Sequence, residues 1–187
     1  MPEISESAAL LIAMSFHSLQ NADQHSQEIF YSSATFCIIT AVFFIEESLT
    51  TIIWKKGWAT ELIDKFSETP SLYQKMKFFW GKFPTRFNPL PRNKNRKKEM
   101  EIVLARFDSE FHGFSDLYHF RNAVCHGDLM KTRSSKKVSI PNVDKLLEMR
   151  QNAKNIVDKL LETSALTDQR IVNFWEAAKS ISENIDE

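Results

Sequence analysis

Residues 29–45 read IFYSSATFCIITAVFFI, an uncharged run of about 17 residues that includes several hydroxyl side chains. Glu46 and Glu47 follow directly, and the apolar pattern then continues from Leu49 to Trp54. A membrane-spanning helix needs about 20 predominantly apolar residues, so the run is short for that role. We therefore expect one long buried helix of about 25 residues at the centre of a helical bundle. A membrane-spanning helix is the alternative.

The composition favours an all-α protein with a single domain. The chain has 187 residues, which is long enough for one hydrophobic core, and it contains only four glycines and six prolines. Fifteen phenylalanines and four tryptophans supply large apolar surfaces for helix packing. We expect residues 1–187 to form one bundle, with residues 84–98 and 131–141 as basic, proline-containing loops. Cys37 and Cys125 lie in apolar stretches, which predicts buried thiols in a reducing cytoplasm and no disulfide.

Hydrophobic periodicity and capping signals predict the other helices. Two lysines and a glycine at residues 55–57 form a C-terminal signal for the long helix. A helix that starts near Arg96 either merges with the next helix or breaks around Phe107. The remaining predicted helices span residues 5–19, 59–66, 71–83, 142–162 and 167–184.

The octapeptide from Phe120 to Gly127 reads FRNAVCHG and closes an amphipathic helix. At about 100° per residue, Phe114, Leu117 and Val124 fall on one apolar side, and Gly127 is a natural C-cap. Arg121 projects from the middle of this stripe. It must be paired, or face a cleft or a partner surface, because an unpaired buried charge is very costly.

Arg121 and His126 suit the chemistry of a phosphodiester. A guanidinium can bind two phosphate oxygens at once, and an imidazole transfers protons near neutral pH. On a regular helix the two side chains lie about 140° apart, so they converge only if the helix unwinds or a second copy supplies one group. We expect a homodimer, since two-fold dimers are the commonest assembly. The alternative is that Arg121 is a paired core arginine and His126 caps the helix.

The octapeptide resembles the R-x4-6-H signature of the HEPN superfamily, in which a polar residue often follows the arginine and a glycine often follows the histidine. The resemblance implies an all-helical, usually dimeric domain. Many members are metal-independent endoribonucleases of toxin–antitoxin and other defence systems. Carried over residue by residue, Arg121 and His126 become a catalytic pair in a cleft at the dimer interface, and Asn122 orients them. Some members bind without cutting, so a non-catalytic module that binds RNA, a nucleotide or a protein is the alternative function.

This interpretation predicts cytoplasmic RNA cleavage by attack of the ribose 2′-hydroxyl, with no cofactor or metal and no membrane. RNA, a second copy and an antitoxin or defence-system protein are the expected partners. Two basic clusters are candidates for phosphate contacts, or else are solvated loops: Arg92, Lys94, Arg96, Lys97 and Lys98, and Lys131, Arg133, Lys136 and Lys137.

Other candidate site residues carry weaker signals. His112, His119 and His126 are spaced by seven residues, about 10 Å per step along a helix, which is too far apart to share a metal ion. Glu46 and Glu47 interrupt the apolar helix; they either add a polar pair at the cleft or mark where the helix leaves the core, and they are not counted among the catalytic residues.

Overall fold

The computed structural model describes residues 27–125 and 141–166, with side chains described from residue 30 onward. Within these ranges it contains six α-helices and no strand, so the all-α prediction is confirmed there. The helices are α1 (Gln27–Lys55), α2 (Ala59–Lys65), α3 (Leu72–Gly81), α4 (Arg96–Glu110), α5 (Phe114–Cys125) and α6 (Val143–Ser164). The predicted helices at residues 5–19 and 167–184 lie outside the described residues, as do His126, Gly127 and the second basic cluster.

Helix α1 is the long central helix that the apolar run predicts. It packs most extensively against α6, and also against α5 and α3. Two of its buried hydroxyls are satisfied within the helix itself. The Thr40 hydroxyl donates to the Phe36 carbonyl at 2.9 Å, and the Ser48 hydroxyl donates to the Phe44 carbonyl at 2.7 Å. These bonds explain how a helix that contains serine and threonine can lie in an apolar core.

The segment Phe30–Lys55 is long and apolar enough to cross a membrane by length and composition. Of its most apolar window, 67% is buried inside the protein. Core helices of soluble proteins meet the same criteria, so this property alone does not identify a membrane span.

The end of α1 confirms the predicted C-terminal signal. Gly57 has φ +70°, a conformation that glycine adopts without strain. Its N–H donates to the Trp54 carbonyl at 2.9 Å, and the Trp58 N–H donates to the Ile53 carbonyl at 2.9 Å. This pair of bonds is a Schellman motif, which satisfies the last carbonyls of the helix and turns the chain toward α2.

Side-chain caps begin the next helices and correct one predicted loop. Ser71 forms a capping box with Gln74 at the start of α3. The Asn95 side chain accepts hydrogen bonds from the backbone N–H groups of Lys97 and Lys98 at 3.0 and 3.2 Å. Because this cap starts α4 at Arg96, the prediction of a helix that begins near Arg96 is confirmed, and the prediction of a loop across 84–98 is wrong for residues 96–98.

The break between α4 and α5 lies later than the sequence predicts. Helix α4 continues past Phe107 to Glu110, and the chain turns at residues 111–113. Gly113 has φ +81° at this turn. The chain reverses at the glycine because most other residues would be strained in that conformation.

Aromatic side chains join α3, the following loop, α4 and α5 into one core. The rings of Trp80 and Phe87 stack with centroids 4.4 Å apart, and Phe107 meets Phe114 edge-on at 5.5 Å. The indole N–H of Trp80 donates to the Asn88 carbonyl at 2.8 Å, so its polar atom is satisfied in the core.

The two cysteines differ from the prediction in one respect. Cys37 is buried, as expected, but Cys125 is exposed. Along the apolar stripe of α5, burial falls from Phe114 and Leu117, which are fully buried, to the half-buried Val124 and then to Cys125. The C-terminal end of α5 at Cys125 therefore lies outside the core, although Ala123 is still buried, and helical periodicity alone does not reveal this.

Candidate functional site

Helix α5 carries the candidate site and is held at its N-terminal end. The Asp108 carboxylate accepts a hydrogen bond from the Ser115 N–H at 3.2 Å, which places a negative charge at the positive end of the helix dipole. Gly113 lies directly against α6: a Cβ added there would come within 2.4 Å of the Asn152 side-chain nitrogen. The position of α5 therefore depends on a close backbone approach that only glycine allows.

Arg121 lies on the apolar stripe of α5, as predicted, where burial is already decreasing. Its side chain is half-buried, and one terminal nitrogen donates to the side-chain oxygen of Asn122 at 3.1 Å. Among residues 30–125 and 141–166, no carboxylate forms an ion pair with this guanidinium. Its hydrogen-bond partner Asn122 is neutral, so the positive charge is not neutralised within that part of the chain.

This arrangement suits anion binding. A guanidinium has five N–H donors, and Asn122 uses only one of them. The hydrogen bond to Asn122 restricts the orientation of the guanidinium, and its neighbours leave the charge available to an incoming phosphate. Of the three predicted site residues, Arg121 and Asn122 are therefore in direct contact. His126 lies outside the described residues, so its convergence with Arg121 stays a prediction.

The expectation that His112, His119 and His126 lie along one helix is wrong for His112. His112 lies in the turn before α5, because the helix begins only at Phe114. His119 lies on α5 and is exposed. In the described part of the chain, no group of three or more histidine, cysteine, aspartate or glutamate side chains is placed to hold a metal ion.

The first basic cluster lies at the surface at the start of α4. All five of its side chains are exposed. The nearby Glu99 carboxylate accepts from Lys77 on α3 at 3.0 Å and from the Asn93 N–H at 3.2 Å. The hydrogen bond from Lys77, and to a smaller extent that from Asn93, lowers the pKa of Glu99. Because Glu99 already pairs with Lys77, the cluster keeps most of its positive charge for solvent or a polyanion.

A groove that the sequence analysis did not identify lies between α1, α2 and the start of α3. Its lining includes Glu46, Trp54 and Lys75. The Lys75 ammonium pairs with the Glu46 carboxylate at 2.8 Å. The sequence analysis singled out Glu46 because it interrupts the apolar run. No local pattern identifies Lys75, on another helix, as its partner.

Comparisons with protein-family models, with curated proteins and with solved structures found no match for this chain. The functional interpretation therefore depends on the residues of the site and on the motif that they form.

Proposed function

We propose that this protein is a metal-independent endoribonuclease of the HEPN type, which cleaves RNA in a cleft between two protomers. Its cellular role would be that of a cytoplasmic toxin–antitoxin or phage-defence nuclease. The observation that supports this proposal best is the half-buried guanidinium of Arg121, which is bonded to a neutral Asn122 five residues before His126. Among the described residues the guanidinium has only a neutral hydrogen-bond partner, so its remaining donors and its charge are available to an anion.

The proposed reaction is an internal transesterification. His126 removes the proton from a ribose 2′-hydroxyl, and the 2′-oxygen then bonds to the adjacent phosphorus. The bond from phosphorus to the 5′-oxygen breaks, and the imidazole contributed by the second copy donates a proton to that oxygen. The products are a 2′,3′-cyclic phosphate and a 5′-hydroxyl. DNA is not cleaved because it lacks the nucleophile.

Arg121 stabilises the negative charge that develops on the non-bridging oxygens in the transition state. Asn122 orients the guanidinium through its side-chain oxygen. Its amide nitrogen can donate to a phosphate oxygen, since the oxygen atom is the one that contacts Arg121.

The test is incubation of RNA with the purified protein in excess EDTA, followed by end-group analysis of the products. We expect cyclic-phosphate ends, no cleavage of DNA of the same sequence, and losses of about 100-fold or more in Arg121→Ala and His126→Ala. Arg106→Ala and His119→Ala are matched controls, because both residues are exposed on neighbouring helices and neither belongs to the motif.

Circular dichroism must show that all variants are folded. Cleavage that requires a divalent metal, or full activity in Arg121→Ala or His126→Ala, would contradict the proposed mechanism. Retention of RNA in a gel shift without cleavage, lost in Arg121→Ala, would identify the non-catalytic binding module in its place.

A further inference from the structure

The groove between α1, α2 and the start of α3 has the dimensions of a small-molecule site. Its volume is about 430 Å³, within the range of roughly 300–1,000 Å³ that is typical of ligand pockets. Buried Ile53 and Leu62 line it, together with Trp54 and Ile63, whose side chains are exposed. Apolar walls with an accessible indole ring favour a flat, apolar ligand face.

One pair of polar side chains converges on the same groove. The Lys75 ammonium donates to the Glu46 carboxylate at 2.8 Å and to the Thr50 hydroxyl at 3.1 Å. The Lys75 side chain is only 13% exposed, so these bonds hold it in place. An ammonium has three donors and a carboxylate two oxygens, so the pair has one N–H and one carboxylate oxygen beyond these bonds. A ligand with a hydrogen-bond acceptor next to a donor could therefore bind the remaining Lys75 N–H and the remaining Glu46 oxygen.

The charge of the described lining residues disfavours an anionic ligand inside the groove. Among the described residues of the lining, Glu46 and Glu68 contribute two carboxylates, and Lys75 contributes one ammonium. A phosphate or carboxylate placed inside would therefore be repelled. The groove is partly open to solvent, which leaves room for a charged substituent to extend out of it.

We propose that this groove binds a nucleobase, stacked on the Trp54 indole and hydrogen-bonded along its edge to Glu46 and Lys75. In adenine, the exocyclic amino group would donate to the carboxylate, and the adjacent ring nitrogen would accept from the ammonium. Purines fit better than pyrimidines because they stack over a larger area. The ribose and any phosphates extend out of the groove into solvent. The site is independent of Arg121 and does not require that the protein cleave RNA.

The test is isothermal titration of the full-length protein with adenosine, guanosine, cytidine, uridine and adenosine monophosphate. We expect saturable binding with purine nucleosides preferred, and no gain in affinity from the phosphate. Trp54→Leu should weaken binding about tenfold, because it removes the stacking surface. Lys75→Met should weaken it to a similar extent.

Two matched controls alter residues that do not line the groove. Glu47→Gln alters the carboxylate next to Glu46, and Lys98→Met removes an exposed lysine elsewhere; both should bind like the wild type. Arg121→Ala should also bind normally, which separates this test from that of the nuclease. Trp54 is 56% exposed, so Trp54→Leu should fold even if the loss of the Lys75–Glu46 pair destabilises Lys75→Met.

Three outcomes would overturn the proposal. The first is a lack of saturation with every nucleoside. The second is unchanged affinity in folded Trp54→Leu. The third is tighter binding of guanidinium, titrated in the same way, than of any purine nucleoside, which would show that the two carboxylates select a cation.

Discussion

In the proposed nuclease, the Arg121 side chain has to meet the competing demands of folding and function. It occupies a position on α5 that the helical period assigns to an apolar residue, and its contact with Asn122 is neutral. A cation in this position lowers stability relative to a hydrocarbon side chain of similar length. Active-site residues commonly show this conflict between stability and activity.

Replacing Arg121 with leucine should therefore raise the free energy of unfolding, by about 1 kcal/mol, while it abolishes RNA cleavage. Arg106→Leu is the control, because Arg106 is exposed on α4 and its replacement should change stability little. Urea unfolding of both variants measures the effect. A marked loss of stability in Arg121→Leu would mean that Arg121 is a structural arginine with a charged partner.

Tyr73 provides a residue-scale prediction for alkaline pH. Burial, with a smaller effect of the nearby Glu99, raises its pKa from 10.0 to about 12. Its neutral form is therefore favoured in the folded state, and this contribution to stability is complete below pH 10 and lost as the pH rises from about 10 to about 12. Tyr73→Phe cannot ionise, so its stability should fall less than that of the wild type over this interval. Parallel unfolding curves for the two proteins between pH 9 and pH 12 would contradict the assignment.

At the scale of the elements, the turn between α4 and α5 determines where the motif lies. Gly113 combines two constraints: a positive φ of +81° and a backbone that touches the Asn152 side chain of α6. Gly57, which ends α1, has a similar φ of +70°, but a Cβ added there would meet nothing within 4 Å. A side chain would cause backbone strain at both glycines but a steric clash only at Gly113. Substitutions at the two positions therefore distinguish the two costs.

Gly113→Ala should lower the free energy of unfolding by more than Gly57→Ala, which should cost only about 1–3 kcal/mol from backbone strain. The difference between them measures the contact with Asn152. Truncation of the contacted side chain in Gly113→Ala/Asn152→Ala should relieve the part of the clash that comes from the Asn152 Cγ and Nδ2 atoms, relative to the sum of the single variants, while the contact with the Asn152 Cβ at 2.9 Å remains. Equal losses for the two glycine variants would show that α6 moves aside without cost.

For the whole molecule, the proposed chemistry requires an assembly. On a regular helix Arg121 and His126 would lie about 140° apart, so the proposed cleft takes the two groups from different chains rather than from one helix that unwinds after Cys125. A monomer would then carry an incomplete site, and a two-fold dimer would carry complementary groups from both chains.

Activity per chain should therefore fall when the protein is diluted below the dissociation constant of the dimer. Light scattering should show, at the higher concentrations, twice the chain mass of 21.7 kDa. A nuclease with constant specific activity across a measured dimer-to-monomer transition would place both groups in one chain and rule out the shared cleft.

Helix boundaries were predictable because their causes are local. The period of apolar residues, the glycine at residue 57 and the caps at Ser71 and Asn142 act within a few residues of the chain. The sequence analysis placed the break between α4 and α5 near Phe107, whereas the chain turns at residues 111–113. The error arose because the packing of this turn against α6 is not visible in the sequence. The glycine that forms the turn is explained by its contact with α6, about 40 residues later.

By itself, the sequence determined the all-helical class, the long central helix and the motif residues, since short-range hydrogen bonds and side-chain periodicity specify them. Only the tertiary structure decided which side chains meet across helices. The Lys75–Glu46 pair joins residues 29 positions apart, and the exposure of Cys125 depends on where the core ends. Such contacts arise from the packing of whole helices, which no local pattern encodes.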